Sequence, residues 1–127
     1  MAKILFAQNL APSIYEFVVD APLVAHKCKP GQFVMIRTDE YSERIPLTIA
    51  DFDREKGTIT LIVQAVGNTT KDLCENYKEG DDILDIAGPL GQPSHMKNFG
   101  TVVVVGGGIG VAPVYPIARA YHELGNK

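Results

Sequence analysis

Two short stretches of the sequence carry residue types suited to holding a phosphate. In the first, Gly67-Asn68-Thr69-Thr70 falls where an apolar run ends and a helix-forming run, "TTKDLCENY", begins. A helix N-terminus offers unpaired N–H donors and the positive end of its dipole, and both favour an anion. Threonine is equally an ordinary helix cap, so a structural and a ligand-binding reading both stand for Thr69 and Thr70. The second stretch, "VVVVGGGIGVAP", sets Gly106, Gly107, Gly108 and Gly110 directly after a run of valines. Glycines placed after a buried strand allow a tight turn and the close approach of a pyrophosphate to the next helix. The strict G-x-G-x-x-G spacing is not met, because Val111 stands where its third glycine would fall.

Other chemistries find little support. Ser13, Ser42 and Ser94 lie in turn-like contexts without a G-x-S-x-G elbow. The histidines His26, His95 and His122 are scattered. Asp81, Asp82 and Asp85 are close in sequence, but neighbouring strand residues face opposite sides, so no acid/base dyad is implied. Cys28 and Cys74 belong to no CxxC pair, which reads as two structural thiols and no metal or iron–sulfur ligand set.

Composition narrows the partners. A formal net charge of −3 gives neither a basic footprint for nucleic acid nor a polybasic segment for a membrane surface. The opening "MAKILFAQNLAPS" has one lysine and too short an apolar run for a secretory signal, so a cytoplasmic protein is expected. The stretch from Thr101 to Ala118 is uncharged and long enough to suggest a membrane span. Its glycines, prolines and valines fit a buried strand, a turn and a helix better.

The elements that must position these residues follow from periodicity. "KILFAQ" and "IYEFVVDA" alternate as half-buried strands do, with Ala11-Pro12-Ser13 between them. Pro30-Gly31 marks a turn before a strand from Phe33 to Arg37. "IPLTIADFD" and "GTITLIVQAVG" form a hairpin through Asp53-Arg54-Glu55-Lys56-Gly57, and "DDILDIAG" makes a sixth strand. One helix, from about Thr69 to Tyr77, interrupts them. The expected fold is mainly β: a six-stranded antiparallel barrel over residues 1–98, then the first strand–helix of a Rossmann-like α/β domain over 99–127. The strand of that second unit covers Thr101–Val105 and its helix Val111–Leu124.

The order of these parts, a barrel, one helix, "GPLG" and then "GGGIGVAP", resembles the ferredoxin–NADP reductase superfamily over the whole chain. Within it, the sequence looks most like the electron-transfer subunit of dihydroorotate dehydrogenase B and the alpha subunit of NADH-dependent ferredoxin:NADP oxidoreductase. The resemblance implies FAD in the barrel, NAD(P)H on a second domain, and hydride transfer to the flavin. The family's Arg-x-Tyr-Ser motif matches Arg44-Ile45-Pro46-Leu47-Thr48, with Thr48 in the serine's place near flavin N5 or O4 and Leu47 in the tyrosine's. Arg44 falls one residue early, and one step along a strand reverses the face. A plain strand with Ile45, Leu47 and Ile49 facing the core is the rival reading of this stretch.

By the same resemblance, Gly67, Thr69 and Thr70 hold the pyrophosphate, and Val63, Gln64 and Ala65 lie along the adenine or ribose. Gly106, Gly107, Gly108 and Gly110 face the nicotinamide cofactor's phosphates. The parent of such a chain carries further parallel strands and cysteines for a [2Fe–2S] cluster, and an iron–sulfur flavoprotein subunit or a ferredoxin as partner. On this reading the chain is an N-terminal part, inactive alone, whose terminal unit associates into a homo-oligomer. The alternative is a cofactor-free barrel that serves as a binding or assembly module.

Overall fold

The computed structural model describes all residues from Met1 to Lys127. Alternating apolar positions in β1 (Ala2–Ala11), β2 (Ile14–Asp20), β3 (Phe33–Arg37), β4 (Ile45–Asp53) and β5 (Thr58–Gln64) turn one face of each strand inward. Phe17 and Val19 meet Val34, Ile36, Ile49, Ile59, Leu61 and Val63 in one core, all at most 2% exposed. Each such side chain contributes about 1.5–3 kcal/mol by leaving water. With β6 (Asp82–Ile83) and β7 (Asp85–Leu90), all neighbouring strands are antiparallel, in the order β6-β1-β2-β5-β4-β3-β7.

Seven strands stand where six were expected. The run "DDILDIAG" breaks at Leu84 into β6 (Asp82–Ile83) and β7 (Asp85–Leu90). Ile83 pairs with Ala2 at one edge of the sheet, while Ile86 pairs with Ile36 at the other. At the bend, the Leu84 N–H donates to Thr38 O at 3.2 Å. A single stretch of chain therefore joins both edges, and the barrel is nearly closed.

A second helix was not expected before the glycine-rich turn. Helix α1 (Pro22–Lys27) is only six residues long and has no side-chain cap. Pro22 starts it because the ring presets φ and the missing N–H costs nothing in a first turn. Val24 and Ala25 are buried and join the barrel core. Helix α2 (Asn68–Asn76) lies where the sequence predicts it. The hairpin tip after β4 is also as expected: Asp53 Oδ1 accepts the N–H groups of Glu55 and Lys56 at 3.0 Å each.

The terminal unit departs further from expectation. Thr101–Val105 joins no strand ladder, although the Val102 N–H donates to Lys127 O at 2.8 Å. A strand exists through its partners, and no strand of the barrel lies beside this segment. Val103 and Val105 consequently stand 83% and 85% exposed. A 3-10 turn over Gly108–Gly110 leads into α3 (Val111–Glu123), which lies across β4.

A candidate dinucleotide groove along one strand

Strand β4 sorts its residues between two faces. Ile45, Leu47 and Ile49 pack on the core, and Pro46 and Thr48 take the outer face. Leu47 therefore supports the barrel instead of facing a ligand, which is the plain-strand reading of this position. Thr48 sits opposite Phe33 on β3, half-buried, and its hydroxyl makes no hydrogen bond within the chain.

Arg44 lies just before β4, so strand alternation does not set its direction. Its Nη1 reaches Asp85 Oδ2 at 2.5 Å, across the end of β3. The hydrogen bond from Arg44, helped by its charge, holds the Asp85 carboxyl below its usual value. The arginine that matches the family motif thus pairs with a carboxylate on β7.

At the N-terminus of α2 the cap comes from Thr70, one of the two threonines that the sequence offers for it. Gly67 is the N-cap residue, and Thr70, three residues on, reaches back. Thr70 Oγ1 accepts the N–H of Gly67 at 2.9 Å and of Val66 at 3.1 Å, and donates to Gly67 O at 3.1 Å. The Lys71 N–H closes the first helical bond to Gly67 O at 2.9 Å. The N–H groups of Asn68, Thr69 and Thr70 are left as open donors, as helix geometry requires. Thr69 Oγ1 donates to Glu43 Oε1 at 3.4 Å, which ties this helix end to the start of β4.

Two positions before the helix differ from expectation. Val63 is a core residue, 1% exposed, so its side chain cannot line a ligand; the inward phase of β5 puts it there with Ile59 and Leu61. Ala65 packs partly on the same core, and its N–H donates to Ser13 O at 2.8 Å. Gln64 is exposed.

The glycine-rich turn sits over the other half of β4. Gly106 must be glycine for space, because a Cβ there would lie 2.8 Å from Val114 Cγ2. Gly108 must be glycine for conformation, with φ +57° in the left-handed region. Around Gly107 and Gly110 a side chain would meet nothing within 4 Å. Between this turn and the barrel runs a crevice of about 440 Å³, walled by Ala50, Thr60 and Ile62 on the sheet and by Gly108, Ile109 and Tyr115 opposite.

Ala50, Asp51 and Ile62 were not singled out by the sequence reading. The signal is a change of phase in "IPLTIADFD": apolar positions step by two through Ile45, Leu47 and Ile49, then resume at Phe52. A bulge between Ile49 and Asp51 produces that change and sends Ala50 and Asp51 outward together, opposite Thr60.

The three sequence-predicted clusters therefore lie in order along one strand. Helix α2 begins beside Glu43, Pro46 and Thr48 occupy the middle of the outer face, and the glycine-rich turn covers Ala50. Against known proteins, 119 residues are 50% identical to the dihydroorotate dehydrogenase B electron transfer subunit homolog of Thermotoga maritima, covering 94% of this chain and 42% of that one. The electron transfer subunit of Shouchella clausii is 40% identical over 94% of this chain and 48% of its own length. A solved structure of NADH-dependent reduced ferredoxin–NADP oxidoreductase, studied for flavin-based electron bifurcation, superposes with a TM-score of 0.97 at 46% identity. It covers all of this chain and 46% of that one.

The chain is a homologue of dihydroorotate dehydrogenase B electron-transfer subunits, with a ferredoxin reductase-like fold. Phthalate dioxygenase reductase shares the fold alone, with a TM-score of 0.81 at 20% identity. No protein-family model matches. The chain spans about half the length of the relatives it matches. No helix is long and apolar enough to cross a membrane.

Proposed function

We propose that the chain binds FAD along the outer face of β4 and forms the flavin-holding part of an electron-transfer oxidoreductase working between NAD(P)H and an iron–sulfur partner. The observation that carries this reading is the order of parts along β4: a helix N-terminus, a free threonine hydroxyl, then a glycine-rich turn. Glu43 to Ala50 spans roughly 23 Å at about 3.3 Å per residue, a length suited to an extended dinucleotide.

The donor set fits the cofactor. Open N–H groups of Asn68, Thr69 and Thr70 suit the pyrophosphate, with Glu43 as a local electrostatic cost. Thr48 offers one hydroxyl to the polar edge of the flavin ring, and Pro46 a flat apolar surface beside it. Flavin supplies two-electron acceptance with one-electron release. The chain's own residues bind, orient and limit water, while Asp82 pairs with Lys3 and Asp85 with Arg44.

The turn at Gly106–Gly110 then faces a nicotinamide cofactor, and the unit from Phe99 onward belongs to a separate nucleotide-binding layer. A cytoplasmic setting suits such a reductase. The exposed valines of Thr101–Val105 favour a homo-oligomer of this chain, which light scattering across a dilution series tests. Flavin titration tests the main reading. Saturable binding supports it, and a chain that ignores added FAD is instead a cofactor-free assembly module.

A further inference from the structure

The bulge in β4 has a specific beneficiary. Without it, strict alternation from Ile49 would turn Asp51 toward the core. With it, Asp51 faces outward opposite Thr60, and its Oδ1 accepts both its neighbour's Phe52 N–H at 2.8 Å and Nη1 of Arg119 from α3. The Arg119 guanidinium also lies 5.0 Å from the centre of the Phe52 ring. Arg54 stacks on that ring as well, at 4.7 Å. Glu123, one turn along α3, approaches Arg119 Nε at 3.9 Å.

This contact is the one hydrogen bond or ion pair between residues 99–127 and the barrel strands. The other polar bonds of the terminal unit are internal or reach only the connecting segment. Asn126, for example, bonds Lys97, Phe99, Gly100 and Tyr121, and Tyr121 bonds His95. Apart from Arg119 over the Phe52 ring, what seats α3 on the barrel is apolar contact, with Pro116 of α3 fully buried and Ala50 of β4 only 4% exposed. Apolar contact alone leaves the angle of a helix loosely set, whereas a charge-assisted bond to a fork-shaped guanidinium fixes it. Both side chains are about one-third exposed, drier than an ordinary surface pair.

We propose that Asp51 and Arg119 form a latch that seats the glycine-rich turn over β4 and sets the width of the crevice between them. As positioning residues for a bound dinucleotide they rest on the reading above; as a latch they do not. Arg119 needs a partner at one point only, and the bulge supplies it there.

The test uses the full chain in two arms. In the flavin-free arm, limited proteolysis follows cleavage between Asn98 and Val111 for the wild type, Asp51→Asn, Arg119→Met, and the exchanged pair Asp51→Arg with Arg119→Asp. Far-ultraviolet circular dichroism confirms an intact barrel in each. The latch predicts about tenfold faster cleavage in both single variants, the factor that about 1.4 kcal/mol of closure energy yields, and recovery in the exchanged pair. Wild-type cleavage rates in both single variants, or no recovery on exchange, overturn it. In the second arm, the visible band of added FAD is recorded with the wild type and Asp51→Asn. A changed band shape at full occupancy supports the positioning role, and an identical spectrum overturns that role. Failure of the wild type to bind FAD at all defeats the flavin reading, and the proteolysis arm still decides the latch.

Discussion

Thr70 Oγ1 accepts the N–H of Gly67 at 2.9 Å and donates to the carbonyl of the same residue at 3.1 Å. One side chain thus closes the first turn of α2 from inside the helix, and the cap is shared with any role toward a ligand. Replacing Thr70 by valine therefore costs stability, about 1 kcal/mol, as well as weakening FAD binding. Thr70→Ser keeps both. Denaturant unfolding alongside a flavin titration checks this; a valine variant with unchanged stability would show that the cap carries no energy.

The two faces of β4 make opposite predictions. Leu47 packs on the core opposite Val34, so Leu47→Ala should cost about 2–3 kcal/mol in unfolding free energy. Thr48→Val conserves shape and removes only an unbonded hydroxyl, so stability should stay within about 0.5 kcal/mol. Its effect should appear in the flavin band position and affinity. Urea melts of both variants separate the faces, and equal destabilisation would refute the assignment.

Arg44 beside Asp85 yields a titration. The Asp85 carboxyl should titrate below the ordinary aspartate range because Arg44 donates a hydrogen bond to its charged form. The folded chain thus favours the ionised carboxylate. Any stability this gives is present above the unfolded aspartate value and is lost as pH falls through the lower folded one. Both side chains are exposed, so the stability effect is small. Carboxyl-carbon NMR shifts should show Asp85 returning to the ordinary range in Arg44→Met; an unmoved titration would mean the pair is not formed in solution.

How far the sequence disclosed this architecture depended on which interactions were local. Alternation placed β1 to β5 and the hairpin at Asp53–Gly57, because inward residues and turn chemistry are written in neighbouring positions. The break at Leu84 was hidden, since it answers to Ala2 on one side and Ile36 on the other, far away in sequence. Helix α1 was missed for its shortness, although Pro22 was its signal. Family position alone points Val63 toward a ligand, while the inward phase of "TITLIVQ" makes it core. Arg44 precedes β4, so strand parity does not govern where it reaches. The valines of Thr101–Val105 have strand propensity, but propensity supplies no ladder partner.

The cysteines give a pH prediction. Burial raises the Cys74 thiol to about 11, aided by the Glu75 charge, and burial also raises Cys28. Folding thus favours protonated thiols, and that contribution is intact below the ordinary thiol value and lost as pH climbs through the folded ones. Both thiols should react slowly with a disulfide reagent at neutral pH and fully in denaturant. Fast modification of the native chain would contradict their burial.

The central claim is that FAD lies along the outer face of β4, and the most direct measurement is titration of the flavin-free chain with FAD, followed by flavin fluorescence and absorbance. The account predicts saturable binding at one flavin per chain, with a structured visible band that Thr48→Val shifts and Thr70→Val weakens. A wild-type chain whose added FAD keeps its free-solution spectrum and fluorescence at every ratio would contradict it.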